Sequence, residues 1–193
     1  MEKNDIKQLF EEKNALLSGH FLLSSGLHSD TYFQSALILQ YPDIAAHLAA
    51  GLAAKLTAAL GTGAVDIVVS PALGGIVIGQ EMGRALKTRA IFCERVDGKL
   101  LLRRGFEISF GERVAVIEDV ITTGLSTREV IGVVESHGGK VVAVASLVDR
   151  SAGKVDFGMP RFSLLSLEVK SYKPEDCPLC RQNIPCIKPG SRK

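Results

Sequence analysis

Two adjacent acidic residues, Glu118 and Asp119, stand where an apolar strand pattern changes into a glycine-containing turn. The apolar run covers residues 114–117, and the turn is the Thr-Thr-Gly sequence of residues 122–124, followed by a helix start near Ser126. Carboxylates at the carboxyl end of a parallel strand can accept hydrogen bonds from sugar hydroxyls. The turn and the helix N-terminus offer backbone N–H groups to a phosphate. The pattern therefore predicts a sugar-phosphate site.

The same stretch, RVAVIEDVITTGLST at residues 113–127, resembles the phosphoribosyl pyrophosphate (PRPP) motif of type I phosphoribosyltransferases. The alternative is an ordinary strand-turn-helix with a solvated acidic edge, but an acidic pair and a phosphate loop in this order are more specific than a lone glycine pattern. The resemblance implies a parallel α/β sheet flanked by helices, with a small N-terminal hood. It implies that PRPP is held by Glu118, Asp119, Val120, Ile121, Thr122, Thr123, Gly124, Leu125 and Ser126.

The elements around this motif alternate between helical and strand patterns. Helices are predicted over residues 5–17, 42–60, 75–87 and 126–137, and strands over residues 66–70, 89–95, 114–120, 140–148 and 162–169. The spacing of Ser126 and Glu129 indicates a capping box. Alternation of this kind favours one α/β domain over residues 1–193. Its hood is expected to comprise about residues 1–40 plus the C-terminal segment, with an irregular cysteine-containing tail at 174–193.

Two further strand ends carry suitable chemistry, since ligands of open α/β sheets bind beyond the carboxyl ends of the strands. After the strand at 66–70, a Gly-Gly pair would let backbone amides approach an anion, unless it is a simple strand-to-helix turn. The resemblance makes this the pyrophosphate loop, with contacts from Ala72, Leu73 and Gly74. After the strand predicted at 140–148, Arg150 could bind a planar carboxylate through its fork of donors, or it could be an exposed side chain with a local partner.

A basic segment, residues 94–111, precedes the acidic strand and contains four cations: Arg95, Lys99, Arg103 and Arg104. One interpretation is a hairpin with solvated charges and Gly98 at its turn. The other, which we favour, is a mobile basic loop that closes over pyrophosphate, and a hairpin can also be such a lid. The loop of related transferases often reads R-K-x-x-K-x-H, and this segment has no histidine. Arg95 and Lys99 are therefore the best positional candidates for catalytic contacts, followed by Arg103 or Arg104.

The N-terminal segment FLLSSGLHSDTYFQ, residues 21–34, resembles the signature of orotate phosphoribosyltransferases. The alternative is a β-hairpin with Gly26 at the turn. The matches are Phe21, Leu23, Ser25, Gly26, Ser29, Tyr32 and Phe33, whereas Ser24 stands where many members have lysine and Leu73-Gly74 where many have Tyr-Lys. The CPLC tail and the LRRGF segment look most like the thermophile-associated, Thermus-like branch.

This resemblance implies transfer of the phosphoribosyl group from PRPP to orotate, giving orotidine 5′-monophosphate and pyrophosphate. It implies orotate contacts from Thr122, Arg150, Tyr32 and Phe33, with Arg150 on the carboxylate. Mg²⁺ is expected as cofactor, bound mainly through PRPP with no firm protein ligand. Family members are dimers, so a homodimer with shared active sites is expected. The rival hypotheses are a purine phosphoribosyltransferase and a non-enzymatic nucleotide or RNA regulator.

The bulk composition is that of an ordinary globular enzyme, with 46% apolar and 23% charged residues. A formal net charge of +2 argues against a nucleic-acid partner. No apolar run is expected to reach the length of a membrane span, and the N-terminus lacks a signal-peptide pattern. A cytoplasmic location is expected, since four cysteines in a chain of this size do not indicate a disulfide scaffold.

The tail cysteines raise the question of a structural metal. Cys177 and Cys180 form a C-P-L-C pair, which is half of a tetrahedral zinc site, and Cys186 follows six residues later. Cys93 or His137 could complete the set only by spatial proximity or across a dimer. A disulfide or free thiols are the alternatives. His20, His28 and His47 show no ligand spacing with one another; His28 could contact substrate, but a surface or capping role is favoured.

Overall fold

The computed structural model describes residues 3–23 and 26–189; Ser24 and Ser25 of the N-terminal signature lie outside this part of the chain. The helices are α1 (Lys3–Glu12), α2 (Ala36–Leu39), α3 (Pro42–Leu60), α4 (Gly74–Leu86), α5 (Leu125–Ser136) and α6 (Pro178–Arg181), with a 3-10 turn at Pro174–Asp176. The strands are β1 (Leu16–Leu22), β2 (His28–Phe33), β3 (Ile67–Pro71), β4 (Arg89–Val96), β5 (Lys99–Leu102), β6 (Arg113–Ile121), β7 (Lys140–Asp149), β8 (Arg161–Ser166) and β9 (Ser171–Tyr172).

Six strands form the central sheet, in the order β5-β4-β3-β6-β7-β8. All neighbouring pairs are parallel except β4 and β5, which form an antiparallel hairpin at one edge. The middle residues of the central strands are apolar and buried because helices cover both faces of the sheet, and the charged residues lie toward the strand ends. The predicted α/β fold with a parallel sheet flanked by helices is therefore confirmed.

The side chains of each strand point alternately to the two faces of the sheet, and this divides the hydrophobic interior into two cores. Val68 of β3 and Ile117 of β6 point toward the face that packs against α1, α3 and α4. Val69 and Val116, one position away on the same strands, point toward the face covered by α5 and the segment after β5. Successive side chains of a strand lie on opposite faces, so the two cores follow from the strand pattern itself.

Helix α3 has the bounds predicted from the sequence, residues 42–60. It is also the one helix of the described residues that is long and apolar enough to cross a membrane, with a mean hydropathy of 1.2, so the expectation that no run reaches this length was wrong. Its buried residues are Ala45, Leu48, Ala49, Leu52, Ala53 and Leu56, which lie in the core between α3 and the sheet. The core helix of a soluble protein meets the same criteria of length and composition.

A second, three-stranded antiparallel sheet has the order β1-β2-β9. The predicted helix over residues 5–17 ends early, because α1 stops at Glu12 and the chain turns at Asn14 into β1. Gly26, at a φ of 80°, lies in the turn between β1 and β2, as the hairpin alternative predicted. This sheet joins N-terminal residues to the C-terminal strand β9 through pairs such as Ser29 with Ser171.

Candidate active site

The carboxyl ends of three central strands place the predicted site at one edge of the sheet. Strand β3 leads into residues 72–74, β6 carries the acidic pair near its end, and β7 ends at Asp149 beside Ile121. The carbonyl of buried Ile121 accepts a hydrogen bond from the Arg150 N–H at 2.9 Å, which links the acidic strand to the loop after β7. Val120 continues β6 beside Val148. Parallel pairing thus brings together segments that are far apart in sequence.

The two acidic side chains have different surroundings. Glu118 is only 5% exposed, and its Oε2 accepts a hydrogen bond from the Ser126 hydroxyl at 2.7 Å, whereas Asp119 is partly exposed. Burial, together with the neighbouring Asp119 charge, raises the pKa of the Glu118 carboxyl well above its ordinary value. The acidic pair therefore does not behave as two equal carboxylates. Glu118 binds a proton more readily than an ordinary glutamate does.

The raised pKa of Glu118 makes stability depend on pH. The pKa of Glu118 is 4.5 in the unfolded chain and higher in the folded protein. Between these two values the folded state binds more protons than the unfolded state. The stability that protonated Glu118 contributes is therefore lost as pH rises. We expect Glu118→Gln to lose less stability than wild type between about pH 5 and about pH 8 in urea unfolding. Glu135→Gln, at an exposed position of α5, is the control and should follow wild type. Parallel pH profiles for wild type and Glu118→Gln would contradict the assignment.

The turn before α5 requires a glycine at position 124. Gly124 has a φ of 77°, a left-handed conformation that L side chains rarely adopt. A Cβ there would also lie 2.7 Å from Cγ1 of Val155 and 2.9 Å from Cε1 of Phe157. Exposed Thr122 and Thr123 precede it, and Leu125, 65% exposed, begins the helix. The loop therefore presents hydroxyls and the N-terminal amides of α5 at the sheet edge.

The predicted capping box at Ser126 and Glu129 was wrong. Gly124 is the N-cap residue of α5 and makes no side-chain capping bond. Ser126 donates to Glu118 instead, and Glu129 forms an ion pair with Arg95 of β4. Both side chains bind residues from other elements instead of the backbone at the start of α5. A rule based on local spacing cannot predict such contacts.

The loop after β3 comes close to Asp119. The Ala72–Leu73 peptide bond is cis, and the Ala72 N–H donates to the carbonyl of Cys93 at 2.8 Å. Leu73 is 84% exposed, and α4 begins at Gly74. A Cβ on Gly74 would lie 2.7 Å from Oδ2 of Asp119. The missing side chain of Gly74 therefore keeps the face of the Asp119 carboxylate open.

Arg150 lies at the base of the site with its Nε buried and without a hydrogen-bond partner among the described residues. Burial lowers the pKa of its guanidinium, opposed by the nearby Tyr32 and Asp30. A buried unsatisfied donor on a cation is costly, so it suits an anionic partner such as a carboxylate. Arg150 is therefore partly buried, unlike the exposed arginine of the alternative interpretation.

Asp149, which the sequence interpretation did not single out, organises the loop that follows Arg150. Its buried carboxylate accepts hydrogen bonds from the Ser151 N–H at 2.8 Å, the Ser151 hydroxyl at 2.6 Å and the Gly153 N–H at 3.1 Å. Arg161 pairs with it at 3.2 Å. An aspartate that follows a buried strand and precedes Arg-Ser was the only sequence signal for this role.

The aromatic pair at the end of β2 is divided between two environments. Phe33 is buried and packs edge-to-face against Phe10, with ring centroids 6.1 Å apart. Tyr32 is partly exposed, contacts Phe21 at 5.7 Å and is close enough to Arg150 to affect its pKa. Neighbouring strand residues point to opposite faces, so only Tyr32 faces the guanidinium.

The basic segment forms a hairpin in this structure. Strands β4 and β5 pair in antiparallel register, with Asp97 and Gly98 at the turn. Arg95 is paired with Glu129, and Arg104 with Glu94 at 2.7 Å. The side chains of Lys99 and Arg103 are exposed and make no hydrogen bond or ion pair with the described residues, although the Arg103 charge contributes to the lowered pKa of Glu94. These two cations are therefore the ones available to a ligand without breaking a partner contact.

The tail cysteines lie against the hairpin of β1 and β2, where Cys177 and Cys180 approach His20 and His28. Cys93 belongs to the buried core of β4, and burial raises the pKa of its thiol to about 11. His137 ends α5 and bonds its own helix at Val133. Neither is part of the tail cluster within one chain, so spatial proximity does not make either of them a fourth ligand there.

No family model matches the chain, but known proteins with similar sequences share one name. The chain is 56% identical over 189 residues to orotate phosphoribosyltransferase of Carboxydothermus hydrogenoformans, covering 98% of each protein. It is 52% identical over 193 residues to the same enzyme of Caldicellulosiruptor bescii, covering 100% of each. Among solved structures, Mycobacterium tuberculosis H37Rv orotate phosphoribosyltransferase has 25% identity and a TM-score of 0.65, with coverage of 84% of this chain and 97% of the other.

Proposed function

The chain belongs to the orotate phosphoribosyltransferase family, and on that premise we propose that its acidic pair and phosphate loop hold PRPP while Arg150 and Tyr32 hold orotate. The reaction transfers the phosphoribosyl group of PRPP to orotate and yields orotidine 5′-monophosphate and pyrophosphate in pyrimidine biosynthesis. The fold is that of the type I phosphoribosyltransferases. The observation that most supports the residue assignment is the buried, unpaired Nε of Arg150 beside Tyr32 at the same sheet edge as the acidic pair.

PRPP is held by three segments in this proposal. The loop of Thr122, Thr123, Gly124, Leu125 and Ser126 binds the 5′-phosphate through its hydroxyls and the amides at the start of α5. Asp119 and Glu118 accept hydrogen bonds from the ribose hydroxyls, with Val120 and Ile121 setting the end of β6. Ala72, Leu73 and Gly74 place backbone amides beside the pyrophosphate.

Charge development explains why an acidic pair lies beside an anion site. As the bond between the anomeric carbon and pyrophosphate breaks, the ribose ring becomes oxocarbenium-like and the leaving group gains negative charge. Asp119, partly exposed and held beside Gly74, stabilises the positive ring, and Glu118, whose Oε2 accepts from Ser126, adds to this stabilisation in its ionised form. Preorganised charges of this kind stabilise the transition state without reorganising during the reaction.

Mg²⁺ is proposed as the cofactor, and the donor set of the site fits it. Asp119 offers hard carboxylate oxygens at the open face of Gly74, the ligand type that Mg²⁺ prefers. The ion would be held mainly through PRPP, without a firm protein ligand. When bound, it neutralises charge on the diphosphate leaving group.

Orotate is proposed to lie between the loop after β7 and strand β2. The fork of Arg150 binds the orotate carboxylate, Tyr32 covers the base ring, and Thr122 contacts it from the phosphate loop. Phe33 acts indirectly, since its buried ring fixes the position of β2. A ligand carboxylate would give the buried Nε the partner that no described residue supplies.

Lys99 is proposed as the hairpin cation that reaches pyrophosphate, with Arg103 next, because Arg95 and Arg104 already have carboxylate partners. We expect Lys99→Ala to bind orotate normally and to lower kcat by about ten- to thirtyfold, less than a rigid buried donor would. Steady-state kinetics with Arg103→Ala as the matched variant of the same hairpin would check this. Full activity in Lys99→Ala with loss in Arg103→Ala would transfer the role to Arg103.

A homodimer with shared sites is proposed, together with a cytoplasmic location. Exposed apolar side chains at Leu73, Leu101 and Phe110 would be covered by a second copy, and the hairpin would reach the partner's site. All four cysteines are unpaired, which suits a reducing compartment. Mixing Lys99→Ala with Asp119→Asn protein should then restore about a quarter of wild-type activity, since half of the dimers carry one intact composite site.

The direct test of the function is a spectrophotometric assay of orotate consumption with PRPP and Mg²⁺. Purine bases in place of orotate serve as the control for the rival substrate class. Consumption of a purine without consumption of orotate would overturn the assignment of the base site.

A further inference from the structure

Four metal-ligand side chains from opposite ends of the chain meet outside the active site. They are His20 of β1, His28 of β2, Cys177 and Cys180, and their donor atoms all lie within 4.8 Å of one another. Cys177 and Cys180 lie 157 and 160 positions after His20, so the cluster is a product of the fold rather than of local spacing. The active-site residues take no part in it.

Three sulfur–nitrogen separations are close to the edges of a tetrahedral site. With bonds of about 2.3 Å to sulfur and about 2.0–2.1 Å to nitrogen, a tetrahedral zinc ion separates N and S ligands by about 3.5–3.6 Å. The Sγ atom of Cys177 lies 3.5 Å from Nε2 of His20, and Sγ of Cys180 lies 3.7 Å from the same atom and 3.3 Å from Nδ1 of His28. The two histidine nitrogens are 2.8 Å apart, shorter than the N–N edge of about 3.3 Å in such a site, so they would have to separate to bind the ion.

Outer contacts orient both imidazoles toward the centre of the cluster. Nδ1 of His20 lies 2.7 Å from the carbonyl of Ile184, which can only accept, so Nδ1 carries the proton and Nε2 presents its lone pair. On His28, Nε2 lies 4.0 Å from Sγ of Cys186, which leaves Nδ1 directed inward. Histidines that bind metals commonly donate their other N–H to such a carbonyl.

Burial and charge distinguish this cluster from a surface group of thiols. His20 and Cys177 are 2% and 0% exposed, and two thiolates with two neutral imidazoles would balance the charge of one divalent ion. A disulfide between Cys177 and Cys180 would leave the oriented histidines without a role. We propose that His20 Nε2, His28 Nδ1 and the Sγ atoms of Cys177 and Cys180 bind one structural zinc ion, with Cys186 in an outer position.

The bulge in β1 explains how His20 reaches the cluster. The pairing of β1 with β2 shifts by one residue between Ser18 and Phe21, so the adjacent His20 and Phe21 are both buried. The same stretch holds the tail directly, because Ile187 bonds the carbonyl of His20 and the N–H of Leu22, both at 2.8 Å. The bulge therefore turns a strand residue toward the tail.

A zinc ion here would fasten the tail to the hairpin that carries Tyr32. Apart from the backbone bonds of Ile187, the described tail residues form only short elements: α6 has four residues, β9 has two, and Ile184 and Ile187 are 39% and 58% exposed. A helix of this length has no stability of its own. His28 and Tyr32 lie on the same face of β2, four residues or about 13 Å apart, so the ion would also fix the strand that borders the proposed orotate site.

The test is elemental analysis of full-length protein purified without chelator or metal-affinity tag. We expect about one zinc ion per chain, and cobalt substitution should give the thiolate charge-transfer and intense visible bands of tetrahedral Co²⁺. Cys177→Ser and Cys180→Ser should lose the ion, while Cys180→His, which keeps four zinc-type ligands, should retain it. Removal of zinc by a chelator should lower Tm by roughly 5–10 °C.

Cys93→Ser and Cys186→Ser are the matched controls, because they remove a thiol outside the four proposed ligands, and both should keep zinc. The wild-type measurement needs no variant and stands even if a ligand variant fails to fold. Metal-free folded wild type from zinc-containing medium, or a Cys177–Cys180 disulfide in peptide mass spectra, would overturn the site. Full zinc content in Cys180→Ser with loss in Cys186→Ser would overturn this ligand set.

Discussion

Asp119→Asn is expected to lower kcat by about two to three orders of magnitude. The change removes one negative charge with almost no change in shape, and losing one well-placed electrostatic partner of a transition state typically costs about 2.7–4 kcal/mol. The position of Asp119 supports a large effect, because its carboxylate lies against the open face of Gly74, partly exposed to substrate. Ground-state binding of PRPP should change less than kcat, since the ring becomes cationic only in the transition state.

Steady-state kinetics with saturating orotate and PRPP measures this effect. Asp43→Asn, an exposed aspartate in the first turn of α3, is the matched control and should keep wild-type turnover. Circular dichroism and urea unfolding would show that both variants are folded. Turnover of Asp119→Asn within a few-fold of wild type would remove Asp119 from the mechanism.

Arg150→Ala should raise the KM for orotate by about a hundredfold and leave PRPP affinity much closer to normal. The guanidinium is partly buried, its Nε has no hydrogen-bond partner among residues 3–23 and 26–189, and truncating one member of a buried charge pair costs about 2–5 kcal/mol. Arg150→Lys keeps the charge but loses the planar fork, so it should fall between wild type and alanine.

Titration calorimetry with each ligand separates the two affinities. Arg84→Ala on α4, an exposed arginine paired with Glu81, is the control for the loss of a cation elsewhere on the surface. An equal loss of affinity for orotate and PRPP in Arg150→Ala would mean that the residue supports the whole site rather than the carboxylate of the base.

The sequence determined the features that depend on near neighbours in the chain. Helix α3 begins and ends where its apolar pattern and Pro42 predicted, and the apolar run before Glu118 forms the central strand β6. The acidic pair, the turn and the helix follow one another directly in the chain, so the motif can be recognised from the sequence alone. The α/β class followed for the same reason, since the alternation of strand and helix patterns limits how the chain can pack.

Only the tertiary structure decided which side chains meet. Ser126 and Glu129 have capping spacing, yet Glu118 and Arg95 bind them, because a tertiary partner competes with the local one. His20 and His28 show no ligand spacing, but a bulge in one strand and a returning tail bring them to Cys177 and Cys180. The spacing of two residues in the sequence indicates their distance in space only when both lie in the same helix or strand. Contacts across strands and between termini depend on register and packing, which no short window of residues contains.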